Sequence, residues 1–133
     1  MSQRIYYIGL AAAIIILDIW TKALVLARSD LHETIPVIPN FFQLVHVRNT
    51  GAAFGIGANA SSKIVPLLLN AGAIGNLLDR FRFGYVVDFL DVYVGNKHWP
   101  AFNVADSAIC VGIALLFLDM RKKPETENAV AEA

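Results

Sequence analysis

Asp88 interrupts the apolar run YVVDFLD, and Asp106 opens the last apolar stretch of the chain in PAFNVADSAI. Carboxylates bordering hydrocarbon are costly, and an acid in that setting is a functional candidate by default. Two such carboxyls brought together do not both ionise readily, so one becomes an acid and the other a base. The chemistry this suits is hydrolysis by an activated water. One carboxylate takes the proton of the water; the other, protonated, polarises a carbonyl oxygen and later feeds the leaving amine. Each aspartate also has a plainer use: Asp106 as a helix N-cap, Asp88 as a partner of Arg80 or Arg82.

Three rival carboxylates are weaker candidates. Asp79 abuts Arg80 and reads as structural. Asp91 lies three residues beyond Asp88, so in a strand the two point apart, and Asp91 reads as a rim charge. Asp119 stands beside the RKK cluster at 121–123, far along the last apolar stretch from Asp106. Asn49 and Asn103 suit either the orientation of a carboxyl or turn chemistry. Gly51 supplies backbone freedom or close approach. Asn76 and Arg80 are four apart and share a helical face, as do Asp18 and Lys22, which can neutralise each other there. Arg80 suits pairing with a carboxylate or snorkelling to an interface. His32, His46 and His98 are scattered without ligand spacing and read as ordinary surface or interfacial residues. No phosphate loop, metal motif or Ser/His/Asp order is present, so neither metal nor cofactor is expected.

The elements that must position these residues belong to a membrane protein. Of 133 residues, 56% are hydrophobic and 17% charged, with a mean hydropathy of +0.54; soluble domains are nearer 45–50% and about 25%. Net charge is zero, without a basic stripe, which argues against nucleic acid. The lone Cys110 rules out an internal disulfide and reads as an inert thiol in a core or facing lipid. Residues 5–27 are long enough to span a bilayer, for which a helix needs about 20 apolar residues. A signal peptide is the competing reading of this segment, but the Asp18–Lys22 charge pair is foreign to such cores. Residues 28–63 hold Pro36 and Pro39, a strand-like FFQLVHV at 41–47 and a Gly-rich turn, and read as extramembrane. Residues 64–78 are apolar but short, with Ala71, Gly72, Ala73 and Gly75 as a small-residue face for close helix approach. Residues 79–104 read as strand or irregular structure with a turn at Gly95 and Asn96, residues 105–120 as the final helix, and 121–133 as a disordered cytoplasmic tail. Trp20, Trp99 and the tyrosines suit an aromatic belt.

This reading carries a topological conflict. The RKK cluster and Arg4 place both chain ends in the cytoplasm. Residues 28–63 then begin outside and 79–104 end outside, so the segment between must leave and return or not cross. Its 15 residues reach about 22 Å at 1.5 Å per residue, short of one crossing. Either 64–78 is re-entrant or interfacial, or a hairpin is missing.

Three blocks, LDIWTK at 17–22, VRNTGAAFG at 47–55, and GAIGNLLDRFRFGYVVDFLD at 72–91 with PAFNVADSAI at 100–109, resemble the lipoprotein signal peptidase (signal peptidase II) family of bacterial membrane aspartyl peptidases. The resemblance covers most of residues 17–120. It implies a mainly α membrane protein, a transmembrane bundle of four helices in the family with a small extramembrane β-cradle, forming one membrane domain over 1–133. It implies cleavage of the signal peptide of prolipoproteins just before a diacylglyceryl-modified cysteine, by Asp88 and Asp106. Asp18, Lys22, Asn49, Gly51, Gly75, Asn76, Arg80, Asn103 and Ala105 are implied as substrate-binding or supporting residues. The expected partners are that lipid-modified substrate and membrane lipids, with the chain a monomer in the bacterial inner membrane and its site near the external face. The chain departs from the family pattern near Leu69 and Asn70, where the end of the second membrane helix and the start of the third look deleted; Ile19 stands where Gln is common. That departure motivates an alternative, a shortened and catalytically impaired homologue that still binds lipoprotein signal sequences. A small ion carrier relaying protons through Asp18, Asp88 and Asp106 is a third reading, which the length of the motifs disfavours.

Overall fold

A computed structural model describes residues 2–51 and 63–122. Helix α1 (Gln3–Arg28) begins at Ser2, whose side chain accepts from the Arg4 amide, and ends at Ser29. Its pattern is inverted relative to a soluble helix. Asp18 and Lys22 are its buried residues, while Ile5, Tyr6, Ile8, Ile16, Leu17 and Trp20 are exposed. Among the described helices it is the one long and apolar enough to cross a membrane. Its charged pair is built into the interior, which disfavours the reading of this segment as a leader to be removed.

Helix α2 (Ile64–Phe83) corrects the expectation for 64–78. The helix does not stop before Asp79; DRFRF continues it to 20 residues, or about 30 Å. It is stopped by Gly84, whose φ of +79° is a left-handed conformation that favours glycine and whose N–H closes on the Arg80 carbonyl. The sequence pattern missed this because Arg80 and Arg82 break the apolar periodicity without breaking the helix. Helix α3 (Val104–Arg121) runs antiparallel to α2, with Gly72 against Ala105 and Ile109, and Gly112 against Leu69 and Leu68. Helix α1 lies parallel to α2, since Asp18 meets Gly75 and Lys22 meets Asp79. The small-residue face read from the sequence is therefore the seam of the bundle. At Gly75 a Cβ would lie 2.6 Å from the Asp18 carboxylate and 3.2 Å from the Ala105 methyl.

At the end of the bundle where α1 and α2 finish and α3 starts sits an antiparallel sheet in the order β1 (Thr34–Ile38), β2 (Phe42–Asn49), β3 (Val86–Val94) and β4 (Lys97–His98). β3 is buried along most of its length. Its register sets Val47 opposite Asp88 and Asn49 opposite Val86, past an irregularity between Leu44 and Val47. Gly95, at φ +59°, makes the tight turn between β3 and β4. Beyond β4, Phe102 bridges back to Leu90, which delivers Asn103 and the start of α3 to the side of β3. The expected tail, and the part of the Gly-rich turn at 52–62, lie outside the described residues.

Replacing Gly75 by Val should push α2 away from α1 and α3 and lower stability in detergent by about 1–3 kcal/mol. Gly9→Ala, where an added Cβ meets nothing within 4 Å, should leave stability unchanged or raise it by up to about 1 kcal/mol through helix propensity. Thermal unfolding of the two variants side by side checks both.

Candidate active site

Asn103 is the N-cap of α3, fully buried, with an extended backbone that turns the chain into the helix. Its side-chain oxygen accepts from the Asp106 amide at 2.8 Å, and the Asp106 carboxylate accepts from the Asn103 amide at 3.3 Å. This reciprocal capping box satisfies amides that a helix start leaves open. The N-cap is therefore Asn103 and not Asp106; Asp106 is its capping-box partner in the first turn, a role that does not displace the chemical one.

The other end of the Asn103 amide ties the two carboxylates together. Its Nδ2 donates to Asp88 Oδ1 at 2.9 Å, to Asn76 Oδ1 at 3.0 Å and to the Val87 carbonyl at 3.2 Å. Asn76 Nδ2 then donates to Asp106 Oδ1 at 2.8 Å. On the far side, Asn49 Nδ2 donates to Asp88 Oδ2 at 3.1 Å. The end of the Asn49 amide that faces Asp88 is fixed by Gly51, whose N–H donates to Asn49 Oδ1 at 2.8 Å. Asp88 is 2% exposed. Burial, and second the negative charge of Asp106, push its carboxyl from an ordinary value of 3.8 up to about 6, against the lowering effects of Asn49, Lys22 and Asn103. Asp106 is half-buried and faces a groove of about 520 Å³ lined also by Asn49, Arg80, Trp99, Phe102 and Cys110.

Beneath the carboxylates lies a buried charge cluster. Lys22 Nζ is 2.8 Å from Asp18 Oδ2 and 3.1 Å from Asp79 Oδ2, and it also donates to Asn76 Oδ1 at 3.3 Å and to the Gly75 carbonyl at 3.4 Å. Asp18 Oδ1 accepts from the Ala105 amide at 2.9 Å, so a residue of α1 satisfies an open amide of α3 and sets a negative charge at its N-terminus. The eleven residues singled out from the sequence therefore converge. Asp18, Lys22, Gly75 and Ala105 form the floor; Asn49, Gly51, Asn76 and Asn103 orient the carboxylates; Arg80 lines the groove, with its Nε buried and without a hydrogen-bond partner among the described residues.

Several expectations need correction. Asp91 is not a rim charge: it is buried and accepts from Gln43, directly opposite it in β2, and pairs with His98 at 2.9 Å. It does point away from Asp88, as strand alternation requires. His46 is not a surface residue but is buried, with Nδ1 against the Ser29 carbonyl at 3.2 Å. Of the two settings expected for Cys110 the core is ruled out: the residue is exposed and lines the groove. Asp79 carries more than its place beside Arg80 suggested; its spacing of four from Gly75, on the face that meets α1, was the available signal.

The fold and site together define a class: a helical membrane protein in which a strand and the start of a helix bring two carboxylates into one hydrogen-bonded network, beside a groove that the second of them faces. A family model for signal peptidase (SPase) II matches residues 10–69 and 57–122. The lipoprotein signal peptidase of Syntrophotalea carbinolica is 46% identical over 140 positions, covering 82% of this chain and 86% of that protein. That of Nitratidesulfovibrio vulgaris is 42% identical over 156 positions, covering 94% of each. A solved structure described as a bacterial membrane enzyme superposes with a TM-score of 0.75 at 29% identity, covering 90% of this chain and 94% of that one. The chain belongs to the signal peptidase II family of aspartic peptidases. It is also internally short. The two family-model matches overlap at 57–69, and 140 aligned positions holding 82% of 133 residues leave about 31 positions of the first relative facing a gap.

Two outcomes test this geometry. Because the Asp88 carboxyl sits above its unfolded value, the unfolded chain ionises first as pH rises from about 4 to about 6. Asp88 therefore favours the fold at low pH and loses that contribution, about 3 kcal/mol, across the window. Unfolding temperature measured from pH 4 to 7 should show this fall in the wild type and not in Asp88→Asn. Lys22→Met should strand Asp18 and Asp79 as buried charges and cost about 3–5 kcal/mol, read as thermal unfolding in detergent.

Proposed function

We propose that this chain is a membrane aspartyl endopeptidase that removes the signal peptide from diacylglyceryl-modified prolipoproteins, cutting before the lipidated cysteine. The observation that carries the reading is the asymmetric holding of two carboxylates around one residue, Asn103, whose side-chain nitrogen binds Asp88 and whose backbone N–H binds Asp106. Asp88 is enclosed, accepts from Asn49 and Asn103, and binds its proton more tightly than an ordinary carboxyl. Asp106 faces the groove, accepts from Asn76, and sits at a helix N-terminus, where negative charge is favoured. In the reaction Asp106 takes a proton from a water in the groove, and the water oxygen attacks the scissile carbonyl. Protonated Asp88 donates to the carbonyl oxygen, giving a gem-diol; as the carbon–nitrogen bond breaks, Asp106 passes its proton to the leaving amine and a hydroxyl of the diol returns one to Asp88, which restores the pair. Asn49 and Arg80 line the groove and supply donors for the substrate backbone.

In this reading the chain is one membrane domain. Arg121, Lys122 and Lys123 mark the cytoplasmic side of a bacterial inner membrane, and the parallel α1 and α2 and the antiparallel α3 bring the site to the external ends of the helices. A lipidated substrate helix then reaches the groove sideways from the bilayer. Asn49 and Ile64 lie at opposite ends of the bundle; the two family-model matches overlap at 57–69, and the first relative carries about 31 further residues. That is enough for another crossing, the fourth helix of the family. Its shortening favours a second reading, a homologue that binds lipoprotein signal sequences but cuts them poorly.

Mass spectrometry of a lipidated prolipoprotein incubated with the purified chain tests the first reading. Cleavage should fall by about 10²–10⁴-fold or more in Asp88→Asn and in Asp106→Asn, and stay near wild type in Asp91→Asn. Full turnover by either dyad variant would overturn it; bound but uncut substrate with the wild type would favour the second. Inserting an apolar segment of about 30 residues between positions 57 and 63, ahead of α2 rather than at Leu69, which packs within it, should raise thermal stability.

A further inference from the structure

Val87 decides where Asp88 stands, and its backbone is held in an unusual way. On one side β3 pairs with β2, with Arg48 opposite Val87 and Val47 opposite Asp88. On the other side Phe102 serves Phe89 and Leu90, and β4 serves Tyr93 and Val94. Among the described residues no strand reaches Val87 there. Its N–H donates instead to Asp79 Oδ2 at 3.0 Å, and its carbonyl accepts from Asn103 Nδ2 at 3.2 Å. Val87 is fully buried, and a buried backbone N–H left open costs about as much as a lost hydrogen bond. Two side chains thus replace the missing strand. One of them, Asn103, is the amide that also holds Asp88.

Resting on the peptidase reading above, we propose that Asp79 is a positioning residue: by accepting the Val87 N–H it sets the depth of Asp88 against Asn103 and Asp106. Asp79 does not line the groove that Asp106 faces, so it acts through the backbone and not on the substrate. It is 4% exposed and anchored by Lys22 at 3.1 Å, which ties the first residues of β3 to α1. The competing role is that of a mere counter-charge to Lys22. The two roles rank conservative variants in opposite orders. Asp79→Asn discards the charge but keeps an acceptor of the same length for Val87. Asp79→Glu keeps the charge but carries the acceptor one methylene away, and a displacement of about 1 Å at an active site can cost 10²-fold in rate.

The experiment uses the full chain in detergent with a lipidated prolipoprotein peptide, with kcat and KM taken per folded molecule and amide hydrogen exchange followed at Val87. Positioning predicts that Asp79→Asn stays within about tenfold of wild type, the equivalent of roughly one hydrogen bond. Asp79→Glu should lose about 10²-fold in kcat with little change in KM, and its Val87 amide should exchange faster than in wild type or Asp79→Asn. A Glu variant as active as the Asn variant or more so overturns the proposal in favour of charge balance. An Asn variant as inactive as Asp88→Asn overturns it by making Asp79 a group at the reacting atoms. Two variants both equal to wild type, or an unchanged Val87 amide in Asp79→Glu, overturn it as well. Exchange at Val87 needs no catalysis, so it separates failure of this inference from failure of the peptidase reading.

Discussion

One buried amide holds the candidate site together. Asn103 is fully enclosed where α3 begins, and its side chain uses both ends. The oxygen starts the helix; the nitrogen binds Asp88, Asn76 and the Val87 carbonyl. A side-chain amide has two donor hydrogens and one acceptor oxygen, and all are committed here. An apolar residue at this position would leave the N-terminus of α3 uncapped, open β3 at Val87 and free the two carboxylates from one another. Buried polar networks are stable when every member is satisfied and costly when one is not, so the precision of the pair is bought by near-complete pairing around it.

The charge cluster below has a similar logic. Lys22 brings one positive charge among Asp18, Asp79 and the more distant Asp88. Its partners are spent on backbone amides of other elements, Asp18 on Ala105 and Asp79 on Val87. Ion pairs buried in a bundle are poor sources of stability, and breaking one is expensive. Their use here is register. Three helices and a strand are fixed along their axes by groups that tolerate no slippage, while glycines at 72, 75 and 112 let the backbones approach closely enough for those groups to meet.

Much of this was legible in the chain because membrane proteins invert the usual code. In a long apolar run a charged residue has no cheap place at the surface, so Asp18, Lys22, Asp88 and Asp106 announced themselves by being out of character. The small-residue face from Ala71 to Gly75 announced the helix seam for the same reason. The extent of α2 was not legible, because Arg80 and Arg82 look like a boundary while Gly84 is the actual stop. Asp91 and His46 were misread because their partners, Gln43 and His98 for one and Ser29 for the other, come from the sheet pairing and the α1–β2 junction. Asp79 was underrated because its two partners lie in α1 and β3.

The sequence by itself determined which residues are unusual and which segments suit lipid. These follow from local composition and spacing, since the cost of a charge in hydrocarbon does not depend on which neighbour later relieves it. Only the tertiary structure decided who relieves whom. That Gly51 orients Asn49, that Asn103 joins the two carboxylates, and that Asp79 stands in for a strand beside Val87 depend on contacts between elements far apart in the chain. Hydrogen-bond partners across such distances are set by how the helices pack and in which register the strands pair, which the spacing of residues within one segment does not specify.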